Sequence, residues 1–385
     1  MQCVLTTEID WLGRFFFLVH EQNPKKKIMS TSDRVRSAYD ATAEVAAAGG
    51  LEDCADDVET VVLRGAIAFV KSSLLDAAVR CSVVPGRGFS MADVACGRGQ
   101  DIPKLFHALR NSGKECSHVT CIDISSVALE CAADKAHKFL RPHFPRLRLQ
   151  FCVEDVASPI GPCSWATGED PHPHGDVHEK PGGGQRHLLF CHLALHYWCD
   201  LEARVQAFFR KMAVAAAEDA LLVLSFADGR WVVRAGREAL ARQQAAVCRA
   251  ATSGRPGLDS VVKVQYGPVR ISIGADLLGA LPSPFGAKYE FSLGQGARVD
   301  CDEYLVHEGA LCGEAAKMGW KHVALSMRAD ELGKVLFAKA RYQAIASKMR
   351  VHSFDMDTPG AALYRFVVLA KSPEAAREFN VALRQ

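Results

Sequence analysis

The stretch from Phe89 to Asp101, FSMADVACGRGQD, constrains this chain more than any other. An apolar run (Met91, Val94, Ala95) meets a tight turn of small residues, and a helix opens near Gln100. Gly97 and Gly99 carry no Cβ, so the backbone there can take positive φ and approach a ligand closely. A second apolar run, HVTCIDIS, ends on Asp123. Strand, glycine turn, helix and a second strand closing on an acid together open a nucleotide-binding parallel sheet. The third glycine of a G-x-G-x-x-G turn is missing between Gln100 and Lys104, so a phosphate-cradling loop is not indicated. S-adenosylmethionine (SAM) has no phosphate and suits such a turn, with Asp123 accepting from the ribose hydroxyls. The glycines alone would equally fit a turn that needs them for geometry only. Asp93, Asp101, Asp123 and Asp155, spaced along the strand ends, favour a methyltransferase-type site.

The rest of the chain follows that opening. Helical patterns cover residues 30–48 and 57–79, the second carrying Lys71 among Ile67, Val70, Leu74 and Leu75. Strands are expected at 91–95, 119–124, 147–153, 188–191 and 220–226, with helices at 102–110, 126–139 and 201–217 between them. Ser125 or Ser126 can cap the helix that follows Asp123. The order β-α-β-α-β predicts an α/β fold with a doubly wound, mostly parallel Rossmann-like sheet, N-terminal helices and a small inserted antiparallel lobe. The lobe (255–300) contains VVKVQYGPVRISI and KYEFSL, with a turn at Gly267-Pro268. A helix at 302–318, a strand at 321–326, a helix at 332–346 and a last strand at 363–370 complete the expectation. Residues 158–186, rich in Pro, Gly and His, hold no period and read as a surface insertion. His172, His174 and His178 in it read as polar loop residues rather than metal ligands. Residues 1–29 read as an N-terminal extension to a catalytic domain spanning 30–385.

Composition narrows the function classes. The formal charge of the 385 residues is only +2, so a protein that coats nucleic acid over its whole surface is excluded and any basic patch is local. The 14 cysteines are scattered with no C-x-x-C. Buried reduced thiols explain them, which places the chain in the cytosol or nucleus without zinc. No apolar run reaches a membrane span. Pro24-Lys25-Lys26-Lys27 fits a nuclear address and a solvated linker equally well.

Further motifs are more specific than the glycine turn. HLALHYWCD, PFGAKYEF, VDCDEYLVHEGALCGEAAKMGW and ALYRFVVLA occur in this order. The chain resembles the eukaryotic mRNA cap guanine-N7 methyltransferases in these strings, from about Ser37 to Ala370. AYDATAEV and FVKSSLL resemble that family's leading helix and its lysine-bearing helix. The resemblance implies a class I SAM-dependent enzyme that needs no metal and acts on a capped RNA 5′ end. It implies nuclear or cytoplasmic mRNA processing, no membrane, a monomer, and contact with other capping proteins. It also implies roles for single residues. Lys71 and Asp101 would lie at the methionine end of SAM, Gly97 against the methionine moiety, Asp123 at the ribose and Asp155 beside the adenine. His196, Tyr197, Tyr289, Glu303 and Tyr364 would surround the cap guanine, with His196, Tyr197 and Glu303 closest to the chemistry. Arg87, Arg98, Lys104 and Lys288 are candidates for the cap phosphates. The chain departs from the family at Ala95, Arg98, His192 and Asp228, and at Ile67 and Ala68 where asparagines are usual.

These residue types fit methylation of guanine. N7 has an exposed lone pair and no proton, so no general base is required, and no nucleophilic triad occurs here. Glu303 could accept from guanine N1–H and the 2-amino group, and His196 could donate to O6. Each residue alone has a blander reading: Tyr289 and Tyr364 as strand packing, Glu303 as an acid in a helix first turn, Lys71 as a solvated helix lysine. Two other functions fit less of the sequence. A methyltransferase for another RNA base or a small molecule would not need Glu303 and His196 together. A non-catalytic, methyltransferase-like RNA-binding subunit would not need the full SAM set.

Overall fold

The computed structural model describes residues 30–37, 40, 57–81, 89–161, 163–167, 185–250, 260–279, 283–293 and 303–385. The N-terminal extension, Tyr39, Arg87, the lysine run at 25–27 and most of the His/Pro-rich insertion lie outside them. The centre is a seven-stranded sheet in the order β10-β11-β5-β4-β1-β2-β3. Its strands are β1 (Phe89–Val94), β2 (Cys116–Asp123), β3 (Arg148–Val153), β4 (Arg186–His192), β5 (Ala216–Ala227), β10 (His322–Arg328) and β11 (Tyr364–Ala370). β1 to β5 run parallel, and β11 is antiparallel to β5 and β10. This is the mostly parallel, doubly wound Rossmann-like sheet expected from the sequence.

Helices cover both faces, so the central strands β1, β4 and β5 are buried almost throughout, as in parallel sheets generally. Alternation still sorts the side chains by face. Met91, Leu221 and Val223 join one core, with the helices Val58–Cys81 and Ile102–Ser112. Ala92, Val94, Leu222 and Leu224 join the other, with Glu202–Ala215 and Glu308–Lys317. Ser125 is the residue that caps the helix Ser126–Phe139, accepting from the Ala128 N–H at 3.0 Å.

A second sheet, β6 (Val261–Tyr266), β7 (Val269–Gly274), β8 (Lys288–Leu293) and β9 (Glu303–Tyr304), forms the antiparallel lobe. Tyr266 pairs with Val269, so Gly267 and Pro268 make the expected two-residue turn, with Gly267 at φ +54°. The inner face of the lobe (Val262, Val264, Ile271, Ile273) packs in the main core.

Two expected helices need correction, and two further helices were not expected. Residues 302–318 are not one helix: Glu303 and Tyr304 pair with β8, and the helix begins at Glu308. Glu303 is therefore a strand residue, not a first-turn acid. The expected helix 332–346 is two helices, Ala329–Phe337 and Ala340–Met349. A 22-residue helix, Gly229–Ala250, leads into the lobe and had no counterpart in the sequence reading. A last helix, Pro373–Arg384, closes the chain. Alternation is strong enough to mark these strands, but helices with long charged faces blur into loop-like composition.

Candidate functional site

β1 ends at Val94, and the chain turns sharply at its carboxyl end. Ala95 (φ 56°), Gly97 (φ 51°) and Gly99 (φ 68°) all sit in left-handed conformations. The two glycines do different jobs. A Cβ on Gly97 would meet nothing within 4 Å, so its missing side chain leaves room at the cavity wall. A Cβ on Gly99 would lie 2.9 Å from the Ala132 backbone, so this glycine lets the helix Ser126–Phe139 approach. Asp123 holds the turn, accepting from Gly97 N at 2.7 Å and Ser125 N at 3.0 Å. Burial raises its carboxyl above the usual range, and those backbone N–H groups work against the rise.

The turn borders a cavity of about 290 Å³ at the carboxyl ends of β1, β2 and β4, where α/β sheets bind ligands. Lys71, Gly97, Asp101, Asp123 and Asp155, drawn from four separate segments, all line it. At one end, Asp101 receives Lys71 at 3.3 Å and Lys104 at 2.8 Å. Burial would raise the Asp101 carboxyl, but the charges of Lys71 and Lys104 override it and hold the group well below the usual range. Asp93 beside it is pushed well above that range, first by burial and then by the charge of Asp101. One carboxylate and one carboxylic acid thus face the same space. Lys104, a candidate phosphate ligand, is instead tied to Asp101 and to the Gln100 carbonyl (2.9 Å).

His192 also lines this end. Burial, then the Lys71 charge, pushes its pKa down to about 3, so the imidazole is neutral. Its Nδ1 lies 3.0 Å from the Ser225 hydroxyl, while its buried Nε2 has no hydrogen-bond partner. Sequence reasoning noted His192 only as a departure from a family pattern. At the opposite end, Asp155 accepts from Ser32 Oγ (2.5 Å) and Ala157 N (3.0 Å), with Arg204 at 3.6 Å. Ser32 belongs to the short helix 31–37, which also sends Arg36 to the Ile124 carbonyl at 3.2 Å. No sequence signal marked Ser32 or Arg204, because both reach Asp155 only through tertiary packing.

A second cluster adjoins the cavity. After β4 the chain makes a 3-10 turn, Leu195–Tyr197. His196 Nε2 lies 3.8 Å from Glu303 Oε1, with both side chains largely buried. Tyr289 pairs across the lobe with Glu303. Burial, then the Glu303 charge, raises the Tyr289 phenol far above its usual value, and the same two causes raise Tyr364. Burial lowers the pKa of His196, against the pull of Glu303. The cluster at neutral pH is a carboxyl group among neutral donors. Tyr197 sits between the two regions: it lines the cavity, and its ring meets that of His196 edge-on at 4.0 Å. It lines the cavity, whereas His196, Tyr289 and Tyr364 face Glu303. Lys288 is on the exposed face of the lobe, and Arg98 lines the cavity. Among the described residues, no group of three His, Cys, Asp or Glu is placed to hold a metal ion, and no helix is long and apolar enough to cross a membrane.

No protein-family model matches the sequence, and no curated protein matches it. Solved structures do. A SAM-dependent methyltransferase from Clostridium acetobutylicum is 11% identical, over 79% of this chain and 91% of its own, with a TM-score of 0.38. DhpI in complex with SAH is 11% identical, over 89% of this chain and 98% of its own, at 0.41. A geranyl diphosphate methyltransferase bound to GPP and sinefungin is 11% identical, over 78% and 76%, at 0.35. Likeness this loose says nothing about substrate, so the functional reading rests on the site's own residues.

Proposed function

We propose that the chain methylates N7 of the guanine that caps an RNA 5′ end, using SAM. One observation carries the reading. His196, Tyr289, Glu303 and Tyr364, spread over 169 residues of sequence (196 to 364), meet beside the cavity framed by Gly97 and Asp123.

The cavity fits the cofactor on three counts. Gly97 lines it, and a Cβ there would meet no protein atom, so the space beside it is open to a ligand. Asp123 presents carboxylate oxygens with lone pairs left over from two backbone bonds. His192 keeps an unsatisfied buried nitrogen, which natural structures rarely leave without a partner. Asp101, with Lys71, would hold the amino-acid end, Asp123 the ribose and Asp155 the adenine. Ser32 would have to share the Asp155 carboxylate. When bound, SAM supplies an electrophilic methyl group on a sulfonium.

The second cluster supplies recognition and orientation. Guanine N7 needs no base, so the protein contributes positioning and electrostatics. Glu303 accepts from N1–H and the 2-amino group, and its charge favours the cation that develops on the purine. Neutral His196 donates to O6 without adding positive charge beside a cationic reaction centre. The protonated phenols of Tyr289 and Tyr364 face Glu303 and keep it oriented, and an aromatic face there can stack on the base, worth roughly 1–3 kcal/mol. Adenine would leave Glu303 poorly paired, at a cost of about 1–3 kcal/mol. The partner is then capped RNA, and the setting mRNA processing in the nucleus or cytoplasm.

The test is transfer of labelled methyl from SAM to unmethylated GpppN-RNA, followed by nuclease mapping. Label on guanine N7 is the expected result. Label on an internal base, or none on RNA while SAM binds, would overturn the cap assignment.

A further inference from the structure

A second cavity of about 290 Å³ lies away from the site, walled by the helices Val58–Cys81, Ile102–Ser112 and Ala340–Met349. Its floor is apolar, made by Ala68, Ala108, Ile345 and Met349. Lys104, His107, Asn111 and Lys348 line it as well. Helical spacing explains the grouping: residues 104, 107, 108 and 111 are three or four apart and share one face. The only acid in the lining is Asp76, and it is already neutralised by Arg341 (2.6 and 2.9 Å) and Arg80 (3.1 Å). Lys348 has no ion-pair partner among the described residues, and its charge faces His107. Burial, then the charges of Lys348 and Arg110, lowers the pKa of His107, which leaves a neutral ring able to donate.

We infer that this crevice binds a small amphipathic anion, a compact apolar body bearing one phosphate or carboxylate group. The apolar floor takes the body, and Lys348, His107 and Asn111 at the exposed rim take the anionic group. The volume sits at the lower edge of small-molecule sites, roughly 300–1,000 Å³, so the ligand is closer to a single ring than to a nucleotide.

The crevice is wired to the first cavity by one side chain. Lys104 lines the crevice, and its ammonium bonds Asp101, whose other oxygen faces Lys71 in the first cavity. An anion in the crevice attracts Lys104 and weakens its hold on Asp101. Asp101 then carries more uncompensated negative charge toward the cavity. A cationic ligand there gains affinity, and by reciprocity it strengthens the anion. This coupling rests on the SAM reading of the first cavity, whereas anion binding itself does not.

Phenyl phosphate is the probe, with inorganic phosphate and benzyl alcohol as controls, titrated into the full chain by calorimetry and by NMR. Phenyl phosphate is expected to bind well ahead of both controls. Lys348→Glu, at an exposed position remote from the first cavity, is expected to weaken it at least tenfold while leaving the melting temperature unchanged. Saturating probe is expected to tighten SAM binding about threefold in the wild type and not in Lys348→Glu. Equal binding to both proteins, or competition between probe and SAM, would overturn the crevice as the site. Probe binding lost in Lys348→Glu together with no SAM binding at all would sustain the anion site and sink the SAM reading instead.

Discussion

The first cavity and the His196–Glu303 cluster touch each other but are built differently. The cavity is assembled at the carboxyl ends of parallel strands, and its backbone does much of the work: left-handed turn residues, a carboxylate tied to two N–H groups, a glycine whose missing Cβ leaves space. The cluster is assembled from the end of β4, the lobe and the last strand, and it works almost wholly through side chains. A cavity of the first kind is shared by many chemistries, because a turn and an acid do not choose a substrate. In the proposed reading, specificity belongs to the second kind, where one largely buried carboxylate among neutral donors selects a partner by its hydrogen-bonding edge.

That contrast can be broken by substitution. Glu303→Gln keeps the shape of the cluster but loses charge and presents a donor to guanine's donors. Losing such a charged bond costs about 1.5–3 kcal/mol. The rate on GpppN-RNA is expected to fall by roughly tenfold to over a hundredfold, with SAM affinity nearly unchanged. Caps with inosine for guanine should be poorer substrates for the wild type and less distinguished by the mutant. A wild-type rate in the mutant would remove guanine recognition from Glu303.

The cavity should respond in the opposite way. Asp123→Ala is expected to weaken SAM binding by about 1–3 kcal/mol. It should also lower the melting temperature, because Gly97 N and Ser125 N lose their acceptor. Calorimetry and thermal denaturation on one preparation separate the two effects, and unchanged SAM affinity in a folded mutant sinks the assignment.

Gly99→Ala sharpens the difference between the two glycines. Its Cβ would press on the Ala132 backbone from a left-handed position, a strain of roughly 1–3 kcal/mol. A lower melting temperature is expected even without ligand. Gly97→Ala shares the backbone strain but meets no protein atom, so its extra cost should appear in SAM titrations. Equal losses of stability with no difference in SAM affinity would refute this division of labour.

The smallest effect concerns pH. His192 is buried and His118 half-buried, with pKa values pushed down to about 3 and about 4, in each case by burial first. In the unfolded chain both would titrate near ~6.5. The unfolded state therefore binds more protons between these limits, and stability falls as pH drops through that window. It is fully present above about 6.5. His192→Gln should flatten the fall in melting temperature between pH 6.5 and 4 relative to the wild type. An identical slope would mean that His192 is not a neutral buried group.

Strand alternation, the glycine turn and the acid after β2 are local properties, so the sequence could display them. Asp123 is one turn of chain from the helix it helps to start, and its role follows from neighbours along the strand. The capping serine was legible for the same reason. Glu303 was legible as a residue but not as a strand residue, because the pairing that places it, with Tyr289, depends on a partner across the lobe. The long helix Gly229–Ala250 was missed because its exposed face is polar and its apolar face is defined only by the small sheet it covers.

The sequence by itself determined the α/β class, the position of the glycine turn and the set of residue types available for chemistry, because these depend on side-chain period and backbone freedom. Only the tertiary structure decided which of those residues meet. It brought Ser32 and Arg204 onto Asp155, divided Lys104 between Asp101 and a second cavity, turned Tyr197 toward the first, and left His192 neutral with a free nitrogen. The Lys104–Asp101 pair aside, these rest on burial and on distances between segments far apart in the chain, and burial sets the charge state on which the proposed chemistry depends.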